Sequence, residues 1–174
     1  IYIPRYRNFG NDKRDYLRGF GYQGGASRQG YGRSMEESLM GVELKEALTE
    51  PGSWSMNIGG FGETLPYHEN KISLDKEKKD KWGLSVLAMD AIIRDNELKM
   101  RKDIISELKA MFEASGVKNV TTYDQGHAIG HGIHEMGTAR MGNDSKTSVL
   151  NAHNQVWDAK NVFVTDGAAM TSSA

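Results

Sequence analysis

Six glycines between Gly19 and Arg33 and five between Gly126 and Gly142 make up more than half of the twenty in this 174-residue chain. Each glycine in a helix interior costs about 1 kcal/mol relative to alanine, so neither stretch can hold a stable helix. Both places must be strand or loop, and the helical content must lie elsewhere. The second stretch also carries His127, His131 and His134, and leads to VFVTDGAAMTSSA at the end of the sequence. Backbone without side chains can come close to another group, and an imidazole there can meet a reacting atom.

The remaining elements follow from periodicity. Ile1 to Phe9 reads as a short strand that Pro4 places at an edge, and Asp15 to Phe20 as a second strand completing a hairpin. Gly19 to Arg33 reads as a loop over a ligand site. Its Gly19-x-Gly21-x-x-Gly24 spacing has more glycine where a dinucleotide fingerprint needs a helix, and its few arginines are a thin footprint for RNA. Ser34 to Leu48 is helical, with Ser34 and Glu37 in capping-box register, weakened by Gly41 and ended by Pro51-Gly52. Trp54 to Glu63 and Ile72 to Leu74 are strands, Asp75 to Lys81 a solvated charged turn, and Trp82 to Ala91 a buried strand.

From Asn96 to Ser115, Leu98, Ile104, Ile105, Leu108, Met111 and Phe112 recur at helical spacing, with Asp95 or Asn96 to cap the start and Gly116 to end it. Val120 to Tyr123, Thr147 to Asn151, Asn154 to Trp157 and Val162 to Thr165 are extended. The class is α+β: an antiparallel β-sheet of about six strands covered on one face by helices.

Composition removes several functions. The 22 Lys and Arg balance 23 Asp and Glu, so no overall field draws the chain to nucleic acid or an anionic membrane. No apolar run approaches the ~20 residues of a membrane span, and the absence of cysteine excludes disulfides and thiolate chemistry. His127, His131 and His134 would align as three metal ligands only on a helix, which the glycines forbid. His134-Glu135 is followed by Thr138 where an H-E-x-x-H zinc site needs its second histidine, so no metal is assigned. On the residues alone, all three remain open to the reading of ordinary hydrogen-bonded loop histidines. The strand ending in Asp166-Gly167 leaves free backbone N–H groups, which suit an anion or a cofactor phosphate. Both ends, Ile1-Tyr2-Ile3-Pro4 and Met170 to Ala174, read as cut, so the chain is expected to be a fragment.

HEMGTARMG, from His134 to Gly142, and the stretch from Ser148 to Ala174 resemble the C-terminal region of glucose–methanol–choline (GMC) flavoprotein oxidoreductases. The pattern is carried by His134, Gly137, Thr138, Met141, Gly142, Ser148, Val149, Asn151, Val156, Trp157, Asp166 and Gly167. Upstream, PRYRN and YLRGFGYQGG are similar to the bacterial sugar-dehydrogenase branch, near glucoside 3-dehydrogenases and gluconate dehydrogenase flavoprotein subunits.

The resemblance implies that residues 1–174 are a fragment of the substrate-binding domain, with the FAD-binding Rossmann part in the rest of the parent chain. It implies FAD as cofactor and a sugar or sugar-derived alcohol as substrate, oxidised by a dehydrogenase rather than an oxidase. His134 would face the flavin and handle the hydroxyl proton, while Asp166 and Gly167 would approach the diphosphate and ribityl region. The second catalytic His or Asn would lie beyond Ala174, leaving the isolated fragment inactive. A small subunit or an electron carrier is the implied further partner, in a bacterial periplasm or cytoplasm. The alternatives are a non-catalytic carbohydrate-binding domain of the same fold and, third, a metal-dependent hydrolase using the His cluster.

Overall fold

The computed structural model describes residues 1–30, 39–131 and 134–172. Among these the strands are β1 (Tyr2–Tyr6), β2 (Phe20–Arg28), β3 (Trp54–Gly62), β4 (Lys71–Lys79), β5 (Ser85–Asp90), β6 (Gln155–Val156) and β7 (Ala159–Phe163). The helices are α1 (Gly41–Thr49) and α2 (Asp95–Ala114), followed late in the chain by a 3₁₀ turn, Gly167–Ala169. The expected α+β class holds. The strands are divided among three sheets, β1-β2-β3, β4-β5 and β6-β7, instead of about six in one. By contacts the chain forms two compact units: Ile1–Lys13 with Gly19–Phe61, and Arg14–Arg18 with Gly62–Ala174.

In the first unit, the glycine-rich stretch expected as a loop is strand β2 as far as Arg28. Its aromatic residues explain the difference. Phe20 and Tyr22 alternate to one face and are buried, and their rings meet edge-on at 5.4 Å, with Tyr6 5.6 Å from Tyr22. Burying such rings is worth roughly 1.5–3 kcal/mol each, more than the entropy glycine costs in a strand. The glycines then admit neighbouring backbone: a Cβ on Gly21 would lie 2.9 Å from the Ile3 carbonyl oxygen, and one on Gly24 would collide with Asn57. β1 and β2 pair antiparallel with Tyr2 opposite Gln23 and Ile3 opposite Tyr22. Helix α1 begins at Gly41, which the sequence marked as a weakness; the Ser34–Glu37 capping box lies outside the described residues.

In the second unit, Arg14 to Arg18 is a bend and not the expected strand, because its side chains turn to α2. The Tyr16 hydroxyl donates to Asp103 at 2.5 Å, and Arg14 pairs with Glu107 at 3.1 Å. The face that α2 buries runs through Glu97, Met100 and Leu108, while Leu98, expected on it, is 46% exposed. Met100 packs against Gly62, where a side chain would collide with its sulfur. The C-terminus of α2 closes as the sequence indicates. Gly116 has φ +79°, its N–H donates to Glu113, and Val117 N–H donates to Phe112.

The charged run Asp75 to Lys79 belongs to β4, and the turn comes later, where the Asp80 carboxylate accepts the N–H groups of Trp82 and Leu84. The N–H groups of Lys78 and Glu77 hold the Asp75 carboxyl below its usual range. Leu74 faces Leu87 and Ile72 faces Met89 across the β4–β5 ribbon. Leu87 and Met89, expected to be buried, are largely exposed. Val120 to Tyr123 forms no strand, and the last strand starts earlier than expected and ends at Phe163.

Candidate functional site

The site is built on the run from Gly137 to Gly142, which is stitched on both sides. On one side the N–H groups of Gly137, Ala139 and Met141 donate to the carbonyls of Gly167, Ala168 and Ala169 at 3.4, 2.9 and 2.9 Å. Thr138 and Ala139 form a turn, and the donors, spaced by two, meet three consecutive carbonyls of the Gly167–Ala169 3₁₀ turn. On the other side the Arg140 carbonyl accepts from Val149 and Leu150, and Gly142 N–H donates to Leu150. Leu150, fully buried, and Ala169 anchor the two flanks. Trp157 closes the far edge, its indole N–H donating to the Ser148 hydroxyl at 3.0 Å.

Two glycines here leave room for a neighbour, Gly137 for backbone and Gly167 for a flexible side chain. Gly137 has φ +83°, and a Cβ on it would lie 3.2 and 3.3 Å from the carbonyl oxygens of Thr171 and Met170. A Cβ on Gly167 would lie 2.5 Å from the Met136 sulfur and 3.6 Å from the Glu135 carbonyl oxygen. The residue directly after His134 is thus packed over Gly167, which brings the two sequence-predicted pieces of the site into one patch. Met136 is the contributor that sequence reading missed. Its only signal was the glycine it fills.

His134 is exposed, and its ring makes no hydrogen bond among the described residues. The strand end differs from expectation in one respect. Asp166 caps its own turn, its Oδ1 accepting Ala168 N–H at 2.9 Å, while the N–H groups of Ala169 and Met170 bond back to Asp166 and Gly167. Those bonds leave the Gly167 N–H unused, and Asp166 Oδ2 accepts no hydrogen bond among the described residues. A carboxylate oxygen beside one N–H suits a hydroxyl-bearing ligand segment better than a bare phosphate.

The other histidines stand apart in role. The rings of His127 and His131 lie parallel with centroids 6.0 Å apart. Their segment is tied to α2 by the ion pair of Arg101 with Asp124. The Arg101 guanidinium first, then the Gly126 N–H, hold the Asp124 carboxyl below its usual range. Among the described residues, no three His, Asp or Glu side chains are grouped to hold a metal ion. His153 donates its backbone N–H to Asn151 in a surface turn.

A chain with this α+β make-up, and with the His134–Gly142 and Asp166–Gly167 segments joined in one patch, belongs to the GMC oxidoreductase family, whose C-terminal-domain model matches residues 66–174. The chain is similar to 2-methyl-1,2-propanediol dehydrogenase of Mycolicibacterium austroafricanum, 36% identical over 113 residues, which are 64% of this chain and 20% of that protein. It is also similar to the gluconate 2-dehydrogenase flavoprotein of Pantoea cypripedii, 29% identical over 139 residues, 74% of this chain and 22% of that protein. The chain therefore spans about a fifth of the length of the curated relatives it matches. GMC oxidoreductases are FAD-binding proteins. No helix among the described residues is long and apolar enough to cross a membrane.

Proposed function

We propose that this chain is the substrate-binding part of an FAD-dependent oxidoreductase that oxidises a CH–OH group of a sugar or sugar derivative, with His134 handling the hydroxyl proton. The observation that carries the reading is the packing of Glu135 and Met136 over Gly167. It supports a site in which His134 and the Asp166–Gly167 turn serve one ligand assembly. Bound FAD supplies the acceptor for the hydride that leaves the carbinol carbon. As the C–H bond breaks, the hydroxyl must lose its proton, and an imidazole nitrogen of His134, exposed and without a hydrogen bond among the described residues, is suited to take it. Asp166 Oδ2 and the Gly167 N–H would hold a hydroxyl-bearing part of the cofactor, Asp166 accepting and Gly167 donating.

Both relatives are named as dehydrogenases, which favours a dehydrogenase over an oxidase, and the flavoprotein relative makes a small subunit or electron carrier the natural further partner. Sugar and polyol substrates are consistent with the two names without choosing between them. A carbohydrate-binding domain without chemistry is the second reading, since the exposed rings of Tyr2, Trp54, Phe61 and Trp82 would serve it equally.

The test is the visible spectrum of the full-length parent. It should show bound flavin that bleaches anaerobically with one or more sugars or glycosides, and far more slowly after His134→Ala or His134→Asn. A full-length protein that stays colourless and inert after FAD is supplied would sink the enzyme reading and leave the binding domain.

A further inference from the structure

We infer that Met136 is a positioning residue, whose side chain sets the distance between His134 and the Asp166–Gly167 turn. The inference rests on the reading of His134 as the proton acceptor and deepens it. Met136 follows His134 by two positions. It is half-buried, whereas His134 and Glu135 are both exposed, so the chain first meets the turn at this residue. Its thioether occupies the space above Gly167: a Cβ there would lie 2.5 Å from the sulfur and 3.3 Å from the terminal methyl carbon. An unbranched, polarisable side chain suits a gap of that kind, which a bare backbone leaves open.

The turn beneath the thioether is well fixed. Asp166 caps it through Ala168 N–H, Met170 N–H returns to the Gly167 carbonyl at 3.1 Å, and Ala169 is buried. The Gly137 N–H, three residues from His134, reaches the Gly167 carbonyl only at 3.4 Å, against 2.9 Å for the bonds made by Ala139 and Met141. A bond that long holds direction poorly. The packing of Met136 on Gly167 is then what keeps His134 at one distance from the turn. Distance matters because proton transfer needs hydrogen-bond reach, and a misplacement of about 1 Å can cost roughly a hundredfold in rate. Met136 has no proton to give or take. It acts through His134.

The test uses the FAD-loaded full-length parent with D-glucose, D-gluconate and 2-methyl-1,2-propanediol as probes. Met136→Ala, Met136→Leu, Gly167→Ala and the Met136→Ala, Gly167→Ala double variant are compared with it, each with FAD content and melting temperature measured to show that the fold is kept. With the probe that bleaches the parent fastest, Met136→Ala should lower the limiting rate of anaerobic bleaching per bound flavin roughly 10- to 100-fold. The half-saturating concentration and the pH dependence of that rate should stay those of the parent, because His134 is intact. Met136→Leu, of similar volume, should restore most of the rate. Gly167→Ala meets only the far end of a flexible side chain, so it should displace the thioether without unfolding the site and slow bleaching in the same way. The double variant should lose no more than the single ones, since both remove one contact.

A second readout does not need turnover. Protonating His134 should shift the absorption band of the oxidised flavin, a shift that His134→Asn abolishes. Met136→Ala should shrink its amplitude, since the field of a charge falls with distance. A Met136→Ala protein with the parent's bleaching rate and band shift, a Met136→Leu protein as slow as Met136→Ala, or losses that simply multiply in the double variant would overturn the positioning role. If the parent bleaches and slows with His134→Asn while Met136→Ala changes nothing, only the positioning role is lost. If no probe bleaches the parent but the His134 band shift shrinks in Met136→Ala, only the oxidation chemistry is lost.

Discussion

Gly137 donates its backbone N–H to the carbonyl of Gly167 at 3.4 Å, the outermost of three bonds that join the His134 segment to the strand-end turn. The bond is long, and the two inner ones at 2.9 Å carry most of the alignment. What Gly137 adds is the bend. Its left-handed backbone turns the chain from the exposed His134 side into the paired run that follows.

Replacing Gly137 with alanine should cost about 2 kcal/mol. A non-glycine residue in left-handed backbone loses ~1–2 kcal/mol, and the new Cβ would also press on two backbone oxygens, of Thr171 and Met170, that cannot swing aside. Gly83→Ala is the control, because Gly83 has φ +84° with nothing within 4 Å of its Cβ position. Thermal melts should show a clearly larger fall for Gly137→Ala. Equal falls would mean that the contact with residues 170 and 171 is not tight.

Much of this region was legible in the sequence, and the reasons are local. Gly116 announces the end of α2 because only glycine enters left-handed backbone cheaply, and the surrounding hydrogen bonds bear that out. The His134–Gly142 and Asp166–Gly167 segments were readable because ordered motifs survive in order. Strand β2 was not readable. Glycine density argued for a loop, and the contest was decided by Phe20 and Tyr22 packing with Tyr6, which lies fourteen residues before Phe20 and is paired with it across the sheet. The length of β4 was hidden for a related reason. Lys76 to Lys79 look like turn residues, but a strand exposed to solvent tolerates charge, and the ribbon's partner strand sets where it ends. Exposure at Leu87 and Met89 was not readable either, since alternation shows which residues share a face and not what covers it.

The Arg101–Asp124 pair should govern an acid titration. Asp124 has its carboxyl held low, chiefly by Arg101 and then by the Gly126 N–H. A depressed folded pKa contributes stability that is present above the unfolded value of about 3.9 and is lost as pH falls through the folded one. Arg101→Gln should move the Asp124 titration upward, towards the ordinary value, in carboxyl-detected NMR. It should also weaken the acid-side dependence of stability. An unmoved titration would show that the Gly126 N–H alone sets it.

Ser148 should matter through Trp157. Its hydroxyl accepts the indole N–H at 3.0 Å and itself donates to the Asp144 carbonyl at 2.8 Å. Ser148→Ala removes both bonds and should cost about 1–2 kcal/mol. Trp54 and Trp82 are 69% and 74% exposed, so the blue component of the tryptophan emission belongs to half-buried Trp157 and should shift red in the variant. Gly142→Ala should do the same by another route, because its Cβ would sit 2.7 Å from that of Ser148. Emission unchanged in both variants would place Trp157 outside this network.

Glu97 is the buried charge on which the start of α2 depends, being 5% exposed. Its carboxylate accepts from the N–H groups of Leu65 and Arg94, both at 3.1 Å, and from the Tyr67 hydroxyl at 3.2 Å. It also lies in the first turn, where the helix dipole favours a negative charge. Glu97→Ala strands those donors and should cost about 2–3 kcal/mol. The same arrangement makes an alkaline prediction. Burial first, and then the neighbouring Glu97 charge, push the Tyr67 hydroxyl above its ordinary value of 10.0. A raised folded pKa contributes stability that is complete below the unfolded value and is lost as pH rises through the folded one. Stability measured by urea denaturation should therefore decline above about pH 10, and Tyr67→Phe should flatten that decline although it removes a hydrogen bond. Parallel declines in the two proteins would show that Tyr67 ionises in the folded state as freely as in the unfolded chain.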